Sequence, residues 1–137
     1  YLVRARGYRW LGPNPERRMA RILLAEDDDS LRAFLVTNLS RAGHEVAAFG
    51  DGDSAWEALE RGAYDLLLTD IVMPGLDGIE LARRGAEADP AMKIVFITGF
   101  AAVALSAQSQ APKDAKVLSK PFHLKDLVAE VERVIAA

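Results

Sequence analysis

From Arg21 the spacing of apolar and polar residues switches repeatedly between short solid runs and helical periodicity. Arg21–Ala25 is a short apolar run and predicts a buried strand. Ser30–Arg41 carries Leu31, Phe34, Leu35 and Leu39 at helical spacing, with Ser30 or Asp29 able to cap it and Gly43 ending it. Glu45–Phe49 reads as a strand, and Asp53–Arg61 as a helix with Trp56 and Leu59 inward. Tyr64–Asp70 contains Leu66, Leu67 and Leu68 in succession and predicts a second fully buried strand. Met73, Pro74 and Gly75 form a turn signal before a helix over Leu76–Ala88, with Ile79, Leu81 and Ala82 as core candidates. Lys93–Thr98 is a third buried strand, Ala101–Gln110 an alanine-rich helix and Lys116–Leu118 a short last strand. Leu124–Ile135 places Leu124, Leu127, Val128, Val131 and Ile135 on one helical stripe.

Strict alternation of strand and helix, with continuous rather than alternating apolar strands, predicts a parallel sheet covered on both faces. The fold class is thus α/β: a doubly wound sheet of five strands with five helices. A chain of 137 residues suits one such domain. With no cysteine, disulfide scaffolds, thiolate metal sites and cysteine nucleophiles are excluded; His44 and His123 alone cannot build a multi-histidine metal cage.

Charge divides the chain in two. Residues 1–18 hold five arginines and one glutamate and end in a Pro-Asn-Pro cluster, whereas residues 19–137 carry a net −7. We expect residues 1–18 to be a non-native or disordered extension, and 19–137 to be the folded domain, beginning at Met19. The acidic domain is a poor match for nucleic acid. No apolar run approaches the roughly 18 residues that a membrane span requires. A cytoplasmic location is expected.

In a sheet of this kind, ligands bind beyond the carboxyl ends of the strands. The first strand runs into Glu26-Asp27-Asp28-Asp29, the third ends in Asp70, the fourth in Thr98 and Gly99, and the fifth runs into Ser119-Lys120-Pro121. Any one of these is ordinarily a cap, a turn or a solvated face. Gathered at one edge they pose an electrostatic problem: two carboxylates about 4 Å apart repel by on the order of 4 kcal/mol at an effective dielectric of 20. A hard cation such as Mg²⁺ offsets that repulsion and binds through carboxylates, water and phosphate. Lys120 adds a second positive charge, Thr98 a hydroxyl donor, and Gly99 room. A carboxylate can attack phosphorus, and Asp70, ending the central strand, is the natural nucleophile.

The runs Ile22–Asp28, Thr69–Gly78, Ile97-Thr98-Gly99 and Ser119-Lys120-Pro121-Phe122 resemble the bacterial response-regulator receiver domain, over Ala20 to Ala137. The resemblance implies a flavodoxin-like fold with strand order 2-1-3-4-5. It implies that Asp70 accepts a phosphoryl group from a histidine kinase or histidine phosphotransfer protein. Mg²⁺ would be held by Asp27 and Asp70 side chains and the Val72 carbonyl, with Glu26 the other acid of the pair, and Thr98 and Lys120 would contact the phosphoryl group. It further implies a cis Lys120–Pro121 bond. Two positions depart from the pattern. Val117 stands where many receivers carry Tyr or Phe, so no aromatic ring can swing toward Thr98; Val117→Ala is expected to alter stability more than signalling. His123 stands where Asp often caps the last helix.

Nothing after the last helix suggests an output module, so output is expected through protein contact at the receiver surface, with Gly99, Phe100, Val103, Val117, Pro121 and Phe122 as switch or output candidates. Residues 96–105 and 115–124 look similar to CpdR-type single-domain regulators of alphaproteobacteria. That resemblance implies a phosphorylation-controlled adaptor for the ClpXP protease, with ClpX as partner. A phosphorelay intermediate and a chemotaxis-type receiver remain open. A haloacid-type aspartyl-phosphate hydrolase is remote, because it usually needs a second Asp where Val72 stands.

Overall fold

The computed structural model describes residues 19–99 and 110–137. The extension 1–18, the expected helix Ala101–Gln110 apart from its last residue, and the output candidates Phe100 and Val103 lie outside these. Among the described residues there are five strands: β1 (Arg21–Ala25), β2 (Glu45–Phe49), β3 (Leu66–Thr69), β4 (Lys93–Thr98) and β5 (Lys116–Ser119). Four helices are described: α1 (Asp29–Arg41), α2 (Gly52–Arg61), α3 (Gly78–Ala88) and α4 (Leu124–Ala136). All strand pairs are parallel, in the order β2-β1-β3-β4-β5, as expected.

Because successive side chains in a strand point to opposite faces, the solid apolar runs feed two cores at once. Leu23, Ala25, Leu67, Ile94 and Phe96 point to the side covered by α2 and α3, where they meet Ala55, Leu81 and Ala82. Ile22, Leu24, Leu66, Leu68, Val95 and Ile97 point to the other side and meet Leu35 and Leu39 of α1 and Leu127, Val131 and Val134 of α4. Both faces are thus covered, which is why these strands read as continuous hydrophobic runs.

The helix phases differ in places from the sequence reading. Phe34, expected inward, is about half exposed at 49%. Leu35 and Leu39, four residues apart, set the buried line of α1 instead. On α2 the buried residues are Gly52 and Ala55, with Trp56 and Leu59 packed at the margin of the core. On α4, Val134 is buried where Val128 was expected. The cap of α1 is neither Ser30 nor Asp29. Asp28 takes the role, accepting a hydrogen bond from the Leu31 amide at 3.0 Å. Asp51 and Asp77 cap α2 and α3 in the same way, so α3 starts at Gly78 rather than Leu76. His123 precedes α4 without a side-chain cap bond.

On the outer face of α3, Glu80 accepts hydrogen bonds from Arg83 and Arg84, and these hold its carboxyl down from the ordinary 4.5 to about 2. A depressed carboxylate stabilises the fold above its unfolded value, and the contribution fades as pH falls through its folded value. Glu80→Gln is therefore expected to remove part of the acid-induced loss of stability between pH 4.5 and about 2. Melting temperature against pH checks this. The difference should narrow in high salt, because the pairs face solvent.

Candidate phosphoacceptor site

The acids and the lysine come together because four strand ends are held in register. Ala25 pairs with Thr69 and Thr98 with Ser119. The Asp70 amide donates to the Ala25 carbonyl at 2.9 Å, and the Lys120 amide donates to the Thr98 carbonyl at 2.8 Å. Glu26, Asp70 and Lys120 each follow directly on one of these paired positions, Asp27 comes one residue later, and Thr98 is itself paired. Glu26, Asp27 and Asp70 consequently offer carboxylate oxygens that all lie within 4.8 Å of one another.

Their surroundings differ. Glu26 is fully buried and Asp70 nearly so, while Asp27 faces solvent. Lys120 bridges the two buried acids: its Nζ donates to Asp70 Oδ2 at 2.7 Å and to Glu26 Oε1 at 3.0 Å. The second oxygen of Glu26 accepts from the Asp28 amide at 3.0 Å, and Asp70 Oδ1 accepts from the Ile71 amide at 2.6 Å. Burial pushes the Glu26 carboxyl above its ordinary value, against the lowering pull of the Asp28 amide and Lys120. Burial also works to lower the Lys120 ammonium, but its hydrogen bonds to Asp70 and Glu26 outweigh that and hold it above the ordinary lysine value. Lys120 therefore stays charged.

Thr98 is fully buried at the end of β4, and among the described residues nothing lies within 4 Å of where a Cβ on the next residue, Gly99, would stand. Lys120–Pro121 is cis. Val72 is exposed next to Asp70. Phe122 packs at the margin of the α1/α4 core, and Val117 at the margin of the α2/α3 core. Val117→Ala should thus cost about 1 kcal/mol, as loss of half-buried methyl groups does, measurable by urea unfolding. The donor set is all hard oxygen, without imidazole or thiolate. It fits Mg²⁺ rather than zinc or copper.

Three supporting residues were not singled out from the sequence. Thr69 is buried and its hydroxyl donates to the Asp70 carbonyl at 2.7 Å. Gly78 lies so close to the Asp70–Ile71 peptide that a Cβ there would stand 1.8 Å from the Asp70 carbonyl oxygen. Arg32 donates to the Glu26 carbonyl at 2.8 Å and to Asp29 Oδ1 at 2.6 Å. The spacing of Asp29 and Arg32 on one helix face carried a signal for that last pair.

Residues 22–132 match the family described as the response regulator receiver domain. The chain belongs to that family. This receiver domain is 63% identical over 119 residues to the response regulator receiver protein CpdR of Brucella abortus, spanning 87% of this chain and 99% of that protein. It is also 36% identical over 120 residues to the sensor kinase CckA of the same organism, of which the match covers 12%. Among solved structures it resembles the response regulator TrrA of Thermotoga maritima in complex with Mg²⁺-BeF, with a TM-score of 0.75 and 29% identity over 85% of this chain and 99% of that one. It is a signalling domain of two-component systems. Among the described residues no helix is long and apolar enough to cross a membrane.

Proposed function

We propose that this receiver domain is phosphorylated on Asp70 in the presence of Mg²⁺ by a histidine kinase or histidine phosphotransfer protein, and that it acts by protein contact, as a CpdR-like adaptor of the ClpXP protease. The observation that carries the chemistry is the Lys120 ammonium held between Asp70 and Glu26 inside a three-carboxylate cluster. Oδ2 of Asp70 attacks phosphorus, the P–N bond of the phosphohistidine breaks, and the imidazole leaves with the electron pair and takes a proton from water. Lys120 already neutralises the attacking side and is placed to follow the phosphoryl oxygens. The Thr98 hydroxyl is the donor proposed for one of these oxygens, and Gly99, without a side chain, is proposed to leave room for the group. Asp27, Asp70 and the Val72 carbonyl are the proposed direct Mg²⁺ ligands, with Glu26 the other acid of the pair, acting through water. Bound Mg²⁺ would supply charge neutralisation for phosphoryl transfer, a reaction that is mostly positioning and electrostatics.

Acetyl phosphate with Mg²⁺ is expected to add one phosphoryl group to the wild type, seen as a mass increase, and none to Asp70→Asn. Labelling of the variant, or of another residue in the wild type, would reject the assignment.

The output reading rests on the 63% identity to CpdR over nearly that protein's whole length and on the CpdR-type resemblance of the strand-end segments. Phosphorylation shifts a population only by the difference in partner affinity between the two forms. Affinity capture with wild type and Asp70→Ala should retain ClpX on the variant that cannot be phosphorylated. Absence of ClpX from both captures rejects the adaptor role.

A further inference from the structure

We infer that Arg32 is a positioning residue for the cation site: its guanidinium fork fixes the β1–α1 loop in the conformation that aims Glu26 and Asp27 at Asp70. The inference deepens the phosphoacceptor reading and rests on it. Glu26 and Asp27 stand on the first residues after β1, where the Glu26 amide makes the last bond to β2 and Asp27 follows outside the strand. Their side chains can share a cation with Asp70 only if that loop holds one shape. Two bonds from a single planar group span it: Nη1 donates to the Glu26 carbonyl at 2.8 Å, and Nη2 donates to Asp29 Oδ1 at 2.6 Å. The first reaches the loop at its start, the second at the opening of α1. Both are charge-assisted, and a fork of fixed geometry loses less freedom on binding than a lysine.

A neighbouring loop makes room for the fork. Gly50, just after β2, lies against the guanidinium so closely that a Cβ there would stand 3.0 Å from Nη1. The same stretch anchors the acid loop from the other side, since the Glu26 amide donates to the Phe49 carbonyl at 3.0 Å. Glu26 is therefore gripped at both backbone ends, its amide by β2 and its carbonyl by Arg32. The carboxylate between them has little freedom to turn away. Arg32 touches none of the carboxylate oxygens of Glu26 or Asp70 among its bonds, so it acts through the backbone rather than on the phosphoryl group.

Supporting groups behind metal ligands typically contribute ten- to a hundred-fold in metal affinity. The test is Mg²⁺ titration by calorimetry of the wild type, Arg32→Ala and Arg32→Lys, with melting temperatures taken without metal. Both variants are expected to bind Mg²⁺ about ten-fold or more weakly, with Arg32→Lys melting like the wild type. Lysine keeps the positive charge but cannot hold both acceptors in one plane. Wild-type affinity in Arg32→Lys would overturn the inference, reducing Arg32 to a nearby charge, and wild-type affinity in Arg32→Ala would overturn it outright. A parallel fall of melting temperature and affinity in Arg32→Lys would assign the residue to folding instead. A wild type that binds no Mg²⁺ would take down the phosphoacceptor reading itself, a result distinct from the others because it appears before any substitution is made.

Discussion

Gly78→Ala is expected to destabilise the fold by about 3 kcal/mol or more, the upper part of the range for forced overpacking. The added methyl would stand 1.8 Å from the Asp70 carbonyl oxygen, 2.7 Å from its carbon and 2.9 Å from the Ile71 Cα. All three are backbone atoms, and no rotamer change relieves such a clash. Nor can α3 simply retreat, because the Gly78 amide donates to the Ile71 carbonyl at 2.8 Å and Asp77 caps the helix immediately before it. In a domain of this size the melting temperature should fall by roughly 10 °C or more. Gly75→Ala is the instructive comparison. Gly75 has φ +73°, and its added methyl would meet Asp53 Oδ2, the mobile end of a side chain, at 2.1 Å. That side chain can move aside, leaving mainly the left-handed backbone cost of about 1 kcal/mol. Urea unfolding of the two variants should therefore rank Gly78→Ala well below Gly75→Ala. The reverse ranking would mean that the approach of α3 to the end of β3 is looser than the structure shows. Gly78→Ala also displaces the peptide that carries Asp70, so its phosphorylation should suffer even where enough folded protein remains to assay.

Much of this arrangement is legible in the sequence because parallel strands leave a strong mark. A strand buried on both faces needs apolar residues in succession; β4 reads that way from Ile94 to Ile97, and its bounds, Lys93 to Thr98, are those the sequence predicts. Once the strands are found, the rule that ligands sit beyond their carboxyl ends is enough to gather Glu26, Asp27, Asp70, Thr98 and Lys120. The division of labour within the acidic run is a different matter. Glu26, Asp27, Asp28 and Asp29 share one chemistry, yet Glu26 is buried against Lys120, Asp27 joins the cluster from solvent, Asp28 caps α1 and Asp29 holds Arg32. Which acid does which depends on where the chain leaves the sheet, and a shift of one residue reassigns all four.

The same limit explains Phe34. Leu31, Phe34, Leu35 and Leu39 all fit a helical stripe, but the stripe is wider than the contact α1 makes. The helix is rotated so that Leu35 and Leu39 reach the sheet, and the larger ring is left at the edge. Gly78 closes the run Thr69–Gly78 that resembles receiver domains, but nothing in the local pattern says why a glycine is needed there. Its requirement is a tertiary approach between α3 and the peptide after β3, and such contacts have no periodicity to read.

Lys120→Ala is expected to have the largest effect on the site itself. The substitution leaves Glu26, fully buried, facing Asp70 with no cation between them. Removing one partner of a buried ion pair costs 3–5 kcal/mol, and the partial exposure of the lysine head reduces that here to about 1–3 kcal/mol. The sign of the pH dependence follows from Glu26. Its carboxyl already lies above the ordinary value through burial, and the loss of Lys120 removes a lowering influence and raises it further. A carboxylate whose folded pKa is raised binds its proton more readily in the folded state, so the fold loses stability as pH rises through that range. The deficit of Lys120→Ala relative to wild type should therefore be greatest near neutral pH and shrink as acid protonates Glu26. Mg²⁺ provides the complementary arm. In the wild type Lys120 holds an oxygen of each buried acid, and a cation must share them. In the variant both are free and unneutralised, so added Mg²⁺ should restore more melting temperature to Lys120→Ala than it adds to wild type. Phosphorylation by acetyl phosphate should nevertheless fall sharply, because the charge that would follow the phosphoryl oxygens is gone. A variant that melts like the wild type at neutral pH and gains nothing extra from Mg²⁺ would mean that Lys120 is a solvated surface charge and not the counterion of the buried acid pair.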